Sequence, residues 1–306
     1  MNCSMLLGSS LAVLALCASA ASVQAQSSVW KITSGGNTVY LAGTSHVLRQ
    51  TDYPLPAEFD VAFAASREVY FETDVGAMMD PAFQMTILSR GMFTDGRTLD
   101  AVLSPEVWSA VRDYCMKMGL PLAAFRGMRP WMFTVTLASF ELQKLGVTQE
   151  GVDIHYFQRA RAQGKGTHGL ESLDEHLDYL AGMGAGHENE MVLSSIEELE
   201  DLPELFETML SAWKSGNLEA IDQTMLTDMR EEFPSVYEAL IVDRNRKWLP
   251  AIGEMLKSEP TELVLVGAAH LAGTDGLLAA LDRQGFGIEQ IAAMHVVPGD
   301  NMPVRR

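Results

Sequence analysis

Three features of the sequence predict an α/β fold, a mixed central sheet flanked by helices. Strand-like apolar runs alternate with helical stretches along most of the chain. Two of those runs, TVYLAGTSH at residues 38–46 and ELVLVGAAH at 262–270, end on the same Gly-x-x-His phrase. A chain of 306 residues that is 47% hydrophobic has enough apolar material to bury this sheet within a single domain.

The elements follow in order. Residues 1–25, MNCSMLLGSSLAVLALCASAASVQA, carry no charged side chain, hold an apolar stretch from Leu11 to Ala18, and place small residues at Val23 and Ala25 before Gln26. That pattern predicts a secretory signal peptide, because the stretch is shorter than the ~20 residues a membrane span needs. A periplasmic or secreted mature chain, residues 26–306, with no membrane span is therefore expected. Cleavage would remove Cys3 and Cys17 and leave Cys115 unable to form an internal disulfide.

Residues 29–46 predict a β-hairpin, with SGGN supplying the positive φ of a tight turn. Helical apolar spacing follows from Glu58 to Arg67, and REVYFETD reads as a strand. Ser104-Pro105-Glu106 starts a helix that Gly119 and Pro121 stop near Met118. Helices are predicted from Pro130 to Leu145 and from Asp153 to Gln163, then a short strand in KGTHGLES. Residues 188–257 read as a wholly helical lobe within the domain, acidic in EELEDLPELFE. ELVLVGAAH, the helix DGLLAALDRQG and a strand near FGIEQI complete the chain.

The formal charge of −18 excludes nucleic acid as an expected partner, since phosphate binding needs a basic face. HExxH, a GxSxG elbow, a Walker loop and CxxC are all absent. The methionines fit core packing, Cys115 reads as buried, and His155, His168, His176, His187 and His295 read as structural or surface residues.

The two Gly-x-x-His phrases are the chemical signal. Open α/β sheets bind ligands outside the carboxyl ends of their strands, which is where His46 and His270 should lie. Glu72 ends the REVYFETD strand and is the third candidate metal ligand. Two histidines and a carboxylate suit a divalent transition metal with open positions for water and substrate. Arg244 is a candidate for binding a carboxylate or oxyanion, and Glu171, in HGLES, for a further ligand or a general base.

VWKITSGGNTVYLAGTSHVL, EVYFETD, GVDIHYFQRARAQGK with HGLES, DRNRKW and LVLVGAAHLAGTDGLLAALDRQGF together resemble the TraB/GumN family, which includes the animal Tiki proteins. The resemblance runs in order over about residues 29–293. It implies an α/β core of internally related halves, similar to erythromycin esterase-like and haem-associated ChaN-like proteins. Through the Tiki branch it implies a metallopeptidase using manganese or cobalt, with zinc the further transition-metal candidate, acting on a peptide or protein substrate. The family's two histidines fall on His46 and His270, its strand-end glutamate on Glu72 and its late-helix arginine on Arg244. Two other readings stay open: a periplasmic binding protein for a metal complex or small ligand, and an envelope or polysaccharide-assembly protein docking through Glu197, Glu198 and Glu200.

Overall fold

The computed structural model describes residues 26–257 and 259–292; the signal-like segment 1–25 and His295 lie outside them. Among the described residues there are eight strands: β1 (Gln26–Ser34), β2 (Asn37–Thr44), β3 (Leu48–Arg49), β4 (Glu68–Phe71), β5 (Val147–Thr148), β6 (Gly166–Gly169), β7 (Glu262–Gly267) and β8 (Gly287–Ala292). β1 and β2 form the predicted hairpin, turning at Gly35 with φ +61. β3 and β5 make a small separate ribbon. The other six form one mixed sheet in the order β6-β4-β7-β2-β1-β8.

Pairing is parallel from β6 through β4 and β7 to β2, and antiparallel where β1 meets β2 and β8. All six residues of β7 are buried, which explains its unbroken apolar sequence: a parallel central strand is covered on both faces. Leu263 and Leu265 pack on one side with Phe59, Phe63, Tyr156 and Trp213. Val264 and Val266 pack on the other with Trp248, Ile252 and Leu277.

The predicted helices are present, at Ala57–Ala65, Pro105–Met118, Pro130–Lys144 and Val152–Gln163. Residues 188–257 are largely helical as read, but they divide among three cores, Trp248 and Ile252 packing on the Val264 and Val266 side of the sheet. The Glu188–Glu198 helix contributes Val192 to a helical core with Val111, Phe133 and Leu137. The Leu202–Ser215 helix instead sends Phe206, Leu210 and Trp213 onto the sheet. Among the described residues no helix is long and apolar enough to cross a membrane.

Candidate active site

β4, β7 and β2 are adjacent and parallel, so their carboxyl ends share one rim, and each delivers a candidate residue to it. Glu72 directly follows β4, His46 lies two residues beyond β2, and His270 sits in the 3-10 turn Ala268–Leu271 after β7. The register opposite Thr44 is Gly267, and opposite Phe71 is Leu265, so β2 and β7 end level and β4 ends two residues short of them. The His46 and His270 Nε2 atoms each lie 3.7 Å from Glu72 Oε1.

Both glycines of the repeated phrase are needed for close approach. A methyl group on Gly267 would sit 3.1 Å from Glu72 Oε1 and 3.1 Å from His46 Nε2, so a side chain there would crowd the convergence point. A methyl group on Gly43 would meet the Cα and Cβ of Ala268 and Cδ1 of Leu271, each at 3.1 Å, so this glycine lets the two phrases pack together. The Gly267 N–H also donates to Glu72 Oε1 at 2.7 Å.

Each histidine is held from behind. His46 Nδ1 lies 2.8 Å from Asp153 Oδ2, and the Asp153 Oδ1 atom accepts from the Thr44 hydroxyl at 3.2 Å. Asp153 is placed by the first turn of the Val152–Gln163 helix, whose Val152 N–H donates to the Ser45 carbonyl at 3.0 Å. Gly151 has no side chain because a methyl there would lie 2.2 Å from the His46 carbonyl group. His270 Nδ1 lies 2.8 Å from Asn245 Oδ1. The Nε2 atoms of both rings therefore face the rim.

Arg244 is the hub of the buried side. Its Nη2 donates to Glu72 Oε2 at 2.6 Å and to Glu171 Oε1 at 2.8 Å, its Nε to Glu171 Oε2 at 3.1 Å, and its Nη1 to His270 Nε2 at 3.2 Å. The guanidinium lies over the Trp248 ring at 4.6 Å, and Trp248 Nε1 donates to Glu171 Oε2 at 3.2 Å. A π-helical stretch, Glu238–Val242, runs directly into the Asp243–Met255 helix that carries Arg244, Asn245 and Trp248. Such bulges change the angular phase of the residues that follow, and here both Arg244 and Asn245 are buried at the site.

Glu171 accepts on both oxygens, the second contact on Oε1 being His176 Nδ1 at 2.8 Å. It anchors Arg244 from behind and does not line the cleft, so the base role suggested by its position after β6 is not what its contacts describe. Glu72, Glu171 and His176 bring ligand-type atoms within 4.8 Å of one another, a group able to hold a metal ion. The Arg244 Nη2 atom already lies within 3.4 Å of all three, so a cation occupies that point.

Electrostatics separate the two histidines. Burial pushes His270 down to about 3, with Arg244 assisting against the pull of Glu72, so the ring is neutral at ordinary pH. Partial withdrawal from water opposes charge on His46, but the Asp153 carboxylate outweighs it and raises this ring to about 9. The His46 side chain is 58% exposed, so the carboxylate governs it. Burial raises Glu72, yet Arg244 and the histidines hold it well below the usual carboxylate range.

The rim opens into a cleft of about 210 Å³. His46, Glu72, Arg244 and His270 line one side of it; Met209, Leu210, Trp213 and Met225 supply the apolar side. Trp213 is fixed by donating from Nε1 to the Gly43 carbonyl at 2.7 Å. Asp153, Asn245 and His176 are the site residues that sequence reasoning did not assign. Asn245 had a signal in standing beside Arg244, whereas Asp153 is 107 residues from His46 and reads as an ordinary first-turn acid.

The chain is similar to known proteins along most of its length. The chain is 23% identical over 248 residues to the uncharacterized protein YbaP of Escherichia coli strain K12, covering 80% of this chain and 89% of that one. The same extent and identity hold for YbaP of Shigella flexneri. No solved structure matches the chain. A family model matches residues 28–290, and it spans the hairpin, both Gly-x-x-His phrases, Glu72 and Arg244: the chain belongs to the TraB/PrgY/gumN family.

Proposed function

We propose that this protein is an exported, periplasmic or secreted, metal-dependent hydrolase of peptide bonds, with the metal held by His46, His270 and Glu72. One observation carries the reading: the two histidine Nε2 atoms and Glu72 Oε1 converge beside a bare glycine, each imidazole anchored through Nδ1 on an oxygen acceptor. Anchoring of this kind fixes ring orientation and raises ligand basicity in metal sites. The charges also fit. With His46 protonated, Glu72, Glu171 and Asp153 oppose Arg244 and His46, three negative charges against two positive. Loss of the His46 Nε2 proton leaves two negative charges in excess, which a divalent cation neutralises.

When bound, a divalent ion supplies a Lewis acid for water and for a substrate carbonyl. Arg244 faces the cleft as a fixed, desolvated cation and stabilises negative charge growing on a carbonyl oxygen. Glu171 and Trp248 hold that guanidinium in place. The Met209, Trp213 and Met225 wall receives an apolar group of the substrate beside the reacting bond and keeps bulk water away.

The test is thermal melting and elemental analysis of the mature protein with Mn²⁺, Co²⁺ or Zn²⁺, followed by turnover on a peptide library. At a hundredfold excess over Kd, binding stabilises by about 2.7 kcal/mol. The His46→Ala/His270→Ala variant should lose that gain and all turnover while retaining its melt without metal. A wild type that none of the three ions stabilises, or that holds metal yet cleaves nothing in the library, refutes the proposal.

A further inference from the structure

We infer that Asn245 is a positioning residue that locks His270 in the Nδ1–H tautomer, so that Nε2 is the unprotonated nitrogen, turned toward Arg244 and the rim. The orientation of the Asn245 amide follows from its surroundings. Its Nδ2 donates to two backbone carbonyls, those of Asp275 at 2.9 Å and of His270 itself at 3.2 Å. Carbonyl oxygens accept only, so the flipped amide would place its oxygen against both and lose both bonds. Oδ1 is thereby turned toward His270 Nδ1 at 2.8 Å, and since Oδ1 only accepts, the proton must reside on Nδ1.

A second constraint acts from the opposite side of the ring. Arg244 Nη1 lies 3.2 Å from His270 Nε2, and a guanidinium has donors only, so Nε2 must be the bare nitrogen. Two independent partners therefore demand the same tautomer. The ring plane is fixed as well, because Trp248 packs against it with centroids 4.5 Å apart. All of these partners come from one turn of helix: Arg244 and Asn245 are adjacent, and Trp248 lies four residues further on. Asn245 is buried, with 4% of its surface exposed, so water does not substitute for either of its roles.

The experiment is ¹⁵N NMR of the full mature protein labelled at histidine, assigned through His270→Gln, with a parallel Co²⁺ titration. In metal-free wild type the His270 resonances should show a protonated Nδ1 and a bare Nε2. Asn245→Ala should release the ring into a tautomer mixture and weaken Co²⁺ binding about 10–100-fold, the usual cost of losing a ligand's anchor. A wild-type Nε2–H tautomer, or an Asn245→Ala protein with an unchanged tautomer and Co²⁺ affinity within twofold, overturns the inference. The wild-type spectrum decides it even if the alanine variant does not fold. The affinity arm rests on the metal reading above: if none of Mn²⁺, Co²⁺ and Zn²⁺ binds wild type, that reading falls and the tautomer assignment still decides this one.

Discussion

The two glycines of the repeated phrase should respond oppositely to the same substitution. Gly267 has φ −50 and ψ 136, which any L-residue adopts, so Gly267→Ala carries no backbone strain. Its new methyl would lie 3.1 Å from Glu72 Oε1 and His46 Nε2, tighter than ordinary contact, and those atoms would have to retreat by a few tenths of an ångström. His46 can yield because it is exposed; Glu72 cannot without lengthening its 2.7 Å bond from the Gly267 N–H or its 2.6 Å bond from Arg244. The expected result is a melt within about 1 kcal/mol of wild type and Co²⁺ affinity reduced about 10–100-fold. Gly43→Ala pushes instead into Ala268 and Leu271 in the core, an overpacking that costs about 1–3 kcal/mol. Urea denaturation and Co²⁺ titration of both variants make the comparison. A Gly267→Ala protein that binds Co²⁺ within twofold of wild type, or a Gly43→Ala protein of undiminished stability, would refute the steric reasoning.

Two further outcomes follow from buried charge. Arg244→Met strands Glu72 and Glu171, both nearly inaccessible, and should destabilise by about 3–5 kcal/mol in urea; adding Glu171→Gln should recover part of the loss, and no recovery would mean that the lost packing on Trp248 dominates. Glu262, at the start of β7, is 5% exposed with Oε2 unpartnered, and burial, aided by Glu68, raises it to about 7. A raised carboxyl means the folded state holds its proton longer than the unfolded chain, so stability falls as pH rises from about 4.5 through 7. Glu262→Gln should therefore match wild type near pH 4 and exceed it by about 1–3 kcal/mol at pH 8, read by melting at both values; an equal gain at both would exclude titration as the cause.

What was legible in the sequence is what local pattern encodes. The hairpin, the apolar run of β7 and the helix ended by Gly119, whose φ is +66, are each written in consecutive residues. His46, Glu72, Arg244 and His270 could be named because strand ends and a helix face mark them. The order of strands could not be read. β7 lies between β4 and β2, a neighbour relation set by packing across about 200 residues. Asp153 and His176 were illegible for a related reason: each touches its partner by virtue of how a helix docks. The π-helical stretch before Arg244 left no periodic signature, and the single helical lobe hid a division among three cores.

That strand order also governs when the site can exist during synthesis. β7 occupies a middle place in the sheet, yet among the described strands it is the next to last to leave the ribosome. Until residues 262–270 have emerged, β4 and β2 lack their shared neighbour and their ends are separated by the width of a missing strand, two spacings of about 4.8 Å. Pairing of β7 with β2 and β4 joins segments about 200 residues apart, long-range contacts of the kind that form slowly. His46 and Glu72 meet His270 only once β7 has paired, so a nascent or truncated chain lacking it holds at most two of the three proposed ligands.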